Sequence, residues 1–204
     1  MKRAVILGVS GQDGAYLSRL LLDRGYEVHG TSRDAEMQSF RRLETLGIRE
    51  RVTMHSVSMR DFRELLQLIH SVQPDEIYNF AGQSSVGLSF SQPIETMESI
   101  ATGELLVLEA IRFLRLPIRL YNSASSECFG DTPVGSVSDE RTAFVPRSPY
   151  ATAKATAFWT TTLHSTAAAF RPATSSTSAT RTGTASATCR ITAPRTASCK
   201  WAAS

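Results

Sequence analysis

Five short runs rich in strand-forming residues, at 4–9, 27–31, 52–56, 76–80 and 118–122, alternate with stretches whose apolar residues recur at helical spacing. This alternation constrains the chain more than any other feature. Strands joined by helical crossovers pair in parallel, with helices covering the faces of the sheet. The helical stretches carry Leu17, Leu20, Leu21 and Leu22, then Leu65, Leu66, Leu68 and Ile69, then Leu105, Leu106, Leu108, Ile111 and Leu114. Gln73-Pro74-Asp75-Glu76 reads as a helix stop followed by a strand start, because proline cannot continue a helical hydrogen-bond ladder. The expected fold class is α/β, a doubly wound parallel sheet.

The periodicity ends near Thr160. Of the 204 residues, those from 161 to 204 are about two-thirds Ala, Ser or Thr, with scattered Arg and Pro. So little large apolar surface cannot offset chain entropy, and the expected division is a folded domain over 1–160 and a disordered or marginal tail over 161–204. Charge divides at a similar place. Residues 1–140 hold 14 basic and 19 acidic side chains, a net of −5, whereas 141–204 hold 8 basic and no acidic ones. Two origins of the tail stay open: a natural low-complexity extension, or a reading frame that has left the natural one.

Several function classes are disfavoured by composition. The tail spaces single arginines without clustered Lys/Arg or interleaved aromatics, so nucleic-acid binding is not expected. No run of about 18 apolar residues suggests a membrane span, and the first apolar run is too short for a secretory signal. Cys128, Cys189 and Cys199 do not form a disulfide framework, so a reducing cytoplasm is the expected setting. His29, His55, His70 and His164 have no metal-ligand spacing with Cys or acid, and no metal site is expected.

The first strand runs into Gly8-Val9-Ser10-Gly11-Gln12-Asp13-Gly14 and then a helix. Glycines there permit the tight turn, the approach of backbone to a pyrophosphate and close helix–strand packing, while the helix N-terminus offers free N–H groups. In a βαβ unit this marks a dinucleotide site. About 20 residues on, Arg33 suits a 2′-phosphate, whereas the adjacent Asp34 suits a free 2′-hydroxyl; the balance of the two favours NADP. Asp61 either faces the adenine edge or caps the helix that follows.

A second constellation lies further on. Tyr150 and Lys154 stand four apart, one turn along one helix face, after a fifth strand that ends in Asn122-Ser123-Ala124-Ser125-Ser126-Glu127. An ammonium near a phenol stabilises the phenolate and lowers its pKa towards working pH, and it can also hold a nicotinamide ribose.

Together these residues resemble the extended short-chain dehydrogenases/reductases that act on nucleotide sugars, most closely the GDP-mannose 4,6-dehydratases. The resemblance rests on Gly11-Gln12-Asp13-Gly14, Gln73-Pro74-Asp75-Glu76-Ile77-Tyr78-Asn79, Ala81-Gly82-Gln83-Ser84, Ser125-Ser126-Glu127 and Pro146-Arg147-Ser148-Pro149-Tyr150 through Lys154, and it spans residues 3 to about 160. It implies a lyase that converts GDP-mannose to GDP-4-keto-6-deoxymannose with NADP. Hydride leaves C4, a base removes the C5 proton, water departs from C6 and the hydride returns there. Tyr150 then resembles the residue that takes the 4-hydroxyl proton, with Ser125 bonding the same oxygen, Lys154 tuning the phenol and Glu127 serving as the C5 base. Cofactor contacts are implied at Gly8, Gly11, Gln12, Asp13, Gly14, Arg33, Asp61, Ala81, Gln83, Tyr150 and Lys154. Family members are commonly oligomers.

The sequence departs from the family pattern at Asp34, where a second arginine is usual, at Ser58, where an aspartate is usual, and at Ser125, where threonine is commoner. Residues 161–204 carry no recognisable substrate domain, so two outcomes stay open for this chain: turnover, or truncation with loss of activity. Positioning contributes about 7–11 kcal/mol to such reactions, and in this family the resemblance implies that the substrate domain supplies most of the wall that positions the sugar. The rival readings are a related nucleotide-sugar 4-epimerase or reductase, and a dinucleotide-binding module without catalysis.

Overall fold

The computed structural model describes residues 1–131, 137–139, 141–169 and 188–189, with side chains up to residue 163. The five expected strands form one sheet. β1 (Arg3–Leu7), β2 (Glu27–Ser32), β3 (Val52–Ser56), β4 (Glu76–Asn79) and β5 (Arg119–Asn122) are all parallel, in the order β3-β2-β1-β4-β5. The two-residue β6 (Thr188–Cys189) lies antiparallel against β5. The chain winds outward in both directions from β1, so the crevice where ligands bind such sheets opens at the carboxyl ends of β1 and β4.

Alternation along β1 divides the core. Ala4 and Ile6 pack with Leu21 and Leu22 of α1 (Gln12–Asp23) and Leu43 of α2 (Arg41–Thr45). Val5 and Leu7 pack on the opposite face with Leu65 and Ile69 of α3 (Phe62–Val72) and with Val107, Leu108 and Ile111 of α6 (Gly103–Leu114). Each fully buried aliphatic side chain contributes about 1.5–3 kcal/mol relative to exposure. The helix faces differ in detail from the expected ones. Leu20 and Leu105 point outward, and their places are taken by Ala15 and Ser18 in α1 and by Glu104 and Val107 in α6. A leucine count cannot separate the two sides of a helix when both carry leucine.

Between β4 and α6 run α4 (Val86–Ser91) and α5 (Pro93–Met97), with proline at the first position of α5, where its missing N–H is harmless. A wide π-helical turn, Glu98–Thr102, joins α5 to α6. The last helix, α7 (Pro149–Ala169), starts from Ser148, whose hydroxyl accepts from Ala151 N at 3.0 Å. It packs through Ala153 and Ala157 against Ile100 and Ala101, small residues that let the helices approach closely. The helix continues past residue 160. Otherwise the tail expected over 161–204 lies outside the described residues, apart from β6. No helix among the described residues is long and apolar enough to cross a membrane.

Candidate active site

The glycine turn is built by backbone contact. Gly8 leaves β1 at φ +81°, a conformation that side chains strain, and a Cβ there would lie 2.9 Å from Ala81 N and Cα. A Cβ on Gly14 would lie 2.8 Å from Gly8 O, so α1 and the turn can approach only as glycines. Gly11 donates to Gly8 O at 3.1 Å and begins α1 with no side-chain cap. Its first amides are therefore left for an anion, with Gln12 and Asp13 exposed beside them. This cradle fits a pyrophosphate.

The remaining cofactor candidates take varied places. Arg33 is 82% exposed at the end of β2 and lies 3.8 Å from Glu95. The Asp34 carboxylate turns into its own loop, accepting from Glu36 N and Met37 N at 3.1 and 2.9 Å. The Asp61 carboxylate caps α3, accepting from Arg63 N at 2.8 Å and Glu64 N at 3.1 Å. Of the two roles read for Asp61, this geometry is the capping one. Ala81 contributes backbone against Gly8, its N–H held by Asn79 Oδ1 at 3.0 Å. Gln83 is engaged locally: its Nε2 donates to Ser85 O at 2.8 Å, and its Oε1 accepts from Ser85 N.

Ser125, Glu127, Tyr150 and Lys154 are brought together at the carboxyl end of β5. Ser125 caps the short helical turn Ser126–Phe129, accepting from Glu127 N at 3.3 Å, and it hydrogen-bonds the Tyr150 phenol. Glu127 is exposed on that turn, and its carboxylate is close enough to the phenol to act on its charge. Lys154 Nζ lies 6.0 Å from the centre of the Tyr150 ring.

One expectation is corrected. Lys154 is buried and donates to Ser123 O at 3.0 Å and Ser123 Oγ at 3.1 Å rather than to the phenol. The Tyr150 pKa is accordingly raised, first by burial and then by Cys128 and Glu127, with only the Ser125 hydrogen bond opposing them. The flexible lysine stem carries its ammonium onto the two Ser123 oxygens at the strand end, which hold it by direct hydrogen bonds. Cys128, behind the site, is buried, and burial pushes its thiol up to about 11.

Sequence reasoning also missed the polar residues behind the lysine. Glu104 accepts from Asn79 Nδ2 at 2.7 Å and Thr161 Oγ1 at 2.8 Å. The available signal was a glutamate in step with Val107, Leu108 and Ile111 on an apolar face. A cavity of about 940 Å³ between β3 and α3, lined in part by His55, Glu64 and Arg49, shares no lining residue with this cluster.

A glycine cradle at the first strand–helix junction, with a hydroxyl, phenol and lysine at the end of β5, defines a short-chain dehydrogenase/reductase of Rossmann type. Comparison with known proteins narrows this. The family model described as GDP-mannose 4,6 dehydratase matches residues 5–186, beyond residue 160 where the motif resemblance ends. The chain belongs to this family. It is 44% identical over 168 residues to the GDP-mannose 4,6-dehydratase of Sinorhizobium fredii, covering 78% of this chain and 47% of the relative. It is 39% identical over 170 residues to GDP-mannose 4,6 dehydratase 1 of Arabidopsis thaliana, with 78% and 46% covered. The chain thus spans about half the length of the curated relatives it matches. Among solved structures, the UDP-Glc/GlcNAc 4-epimerase of Campylobacter jejuni superposes with TM-score 0.73 at 19% identity, over 82% of this chain and 50% of that one. The dTDP-glucose 4,6-dehydratase of Bacillus anthracis, in complex with NAD, superposes with TM-score 0.69 at 17% identity, over 82% and 51%.

Proposed function

We propose that this chain carries the cofactor-binding and proton-transfer half of a GDP-mannose 4,6-dehydratase, working with NADP in the cytoplasm. The observation that carries the reading is the convergence of Ser125, Glu127, Tyr150 and Lys154 at one strand end beside the glycine cradle. Gly8, Gly11 and Gly14 admit the pyrophosphate to the amides of α1, and Ala81 backs the turn. Arg33 receives the 2′-phosphate, and the Asp34 carboxylate, occupied with its own loop, repels it less than its sequence position suggests. Asp61 and Gln83 contribute through the loops they brace rather than by direct contact. A nicotinamide dinucleotide held at Gly8, Gly11 and Gly14 would supply the hydride-transfer chemistry between C4 and C6.

The residues of the chain move the protons. Tyr150, oriented by Ser125, takes the proton of the sugar 4-hydroxyl as C4 becomes a ketone. That ketone acidifies the C5–H bond, and Glu127, exposed on the turn that Ser125 caps, removes its proton and passes it to the C6 hydroxyl, which leaves as water; the proton held by Tyr150 then goes to C5. Lys154 remains a cation throughout, seated on Ser123 and within reach of the ribose. Oligomeric assembly belongs with this reading as a family property.

The test is product mass. A full-length counterpart carrying these residues, incubated with NADP and GDP-mannose, is expected to yield a nucleotide sugar lighter by one water, and Glu127→Gln in it is expected to reduce conversion at least a hundredfold, within the usual range for an acid–base residue. A new isomer of unchanged mass favours an epimerase, and a product heavier by two hydrogens favours a reductase. NADP binding with no conversion favours a binding module.

A further inference from the structure

Glu104 lies in the apolar stripe of α6 and is fully buried. A carboxylate there is strongly unfavourable unless hydrogen-bonded and offset by a cation. The hydrogen bonds are present. Oε2 accepts from Asn79 Nδ2 at the end of β4, and the same amide nitrogen lies 3.4 Å from Asn122 Oδ1 at the end of β5. Oε1 accepts from Thr161 Oγ1, two turns beyond Lys154 on the same face of α7. Asn122 is followed directly by Ser123, which holds the Lys154 ammonium. Among the described residues Lys154 is the one buried Lys or Arg. The other buried carboxylate, Glu76, sits at the opposite end of β4 with Arg119. One buried anion and one buried cation therefore share the seam between α6, α7 and the ends of β4 and β5.

We propose that Glu104 is the counter-ion of Lys154 and a positioning residue, keeping the lysine a seated ammonium rather than a neutral amine. This rests on the reading of Tyr150 and Lys154 as the working pair. Burial pulls the Lys154 pKa down, and the Glu104 carboxylate is the foremost influence holding it up, with Cys128 adding to it. The titratable groups around the ammonium are Glu104 from α6, Cys128 from the turn after β5, and Tyr150 from its own helix. Cys128 stays protonated well above neutrality, so Glu104 alone provides fixed negative charge. Without it, the lysine loses its proton at lower pH. The chain then loses its cationic grip on the ribose.

The chain has three lysines, Lys2, Lys154 and Lys200, so isotope-labelled lysine resolves the Lys154 titration by NMR. Glu104→Gln keeps size, can still accept from Asn79 Nδ2 while donating to Thr161 Oγ1, and removes charge. It is expected to lower the Lys154 pKa by at least one unit and to make NADP affinity fall tenfold or more as pH rises through that new value; Glu104→Asp should restore part of both. An unchanged Lys154 titration in folded Glu104→Gln overturns the proposal. If Glu104→Gln does not fold, Glu104→Gln combined with Lys154→Met decides the matter: recovery of cooperative melting supports charge compensation, and no recovery refutes it. A wild-type chain that binds no NADP, with the Lys154 shift still seen, removes the functional reading and leaves the ion pairing intact.

Discussion

Gly8 concentrates several requirements in a single position. Its φ of +81° disfavours every L side chain, and its missing Cβ is the space that the Ala81 backbone occupies. Gly8→Ala is therefore expected to lose at least about 1–2 kcal/mol from backbone conformation alone, and more from the 2.9 Å contact. Dinucleotide binding should be lost even where folding survives, because the turn must open to relieve the clash. Chemical denaturation and a binding titration separate the two effects. Lys154 illustrates the limit of spacing arguments. The four-residue interval correctly places it on one helix face with Tyr150, but the interval says nothing about Ser123, which lies 31 residues away and holds the ammonium.

Elements here are specified mainly by their ends. α7 begins with a serine cap followed by Pro149, which is preset for a first helical position. Ser148→Ala is expected to cost about 1 kcal/mol by denaturant unfolding, as caps do, and to loosen the first turn that carries Tyr150. α3 uses Asp61 in the same way, and the cap was one of two roles its sequence position allowed. The extended chemistry of an aspartate at a loop–helix junction is ambiguous in one dimension. Only the direction of the carboxylate resolves it.

At the scale of the whole molecule, the parallel register creates contacts with no sequence signature. β2 and β3 bring His29 and His55 together, with Nδ1 and Nε2 3.0 Å apart and rings stacked at 5.2 Å. Spacing along the chain had left these histidines unrelated. Burial, and then the neighbouring His29, lower the His55 pKa below 6.5, so the unfolded chain binds the proton more readily than the folded one. Stability from this site is present above about pH 6.5 and is lost as pH falls towards and through the folded value. Melting temperature should decline on acidification from pH 7 to 5.5, and His55→Gln should flatten that decline. A slope identical in the variant would assign acid sensitivity to other groups.

The division between what was readable and what was not follows from range. The five parallel strands, the glycine cradle and the Tyr150–Lys154 pair were legible in the amino-acid order, because each depends on local periodicity or on intervals of a few residues, whereas the antiparallel β6 was not. Their sheet order, the inward face of each helix, the seat of Lys154 on Ser123 and the burial of Glu104 depend on segments 25 to 60 residues apart meeting in space. Such pairings are chosen by packing and by the need to satisfy every buried charge, and those conditions exist only once the chain has folded.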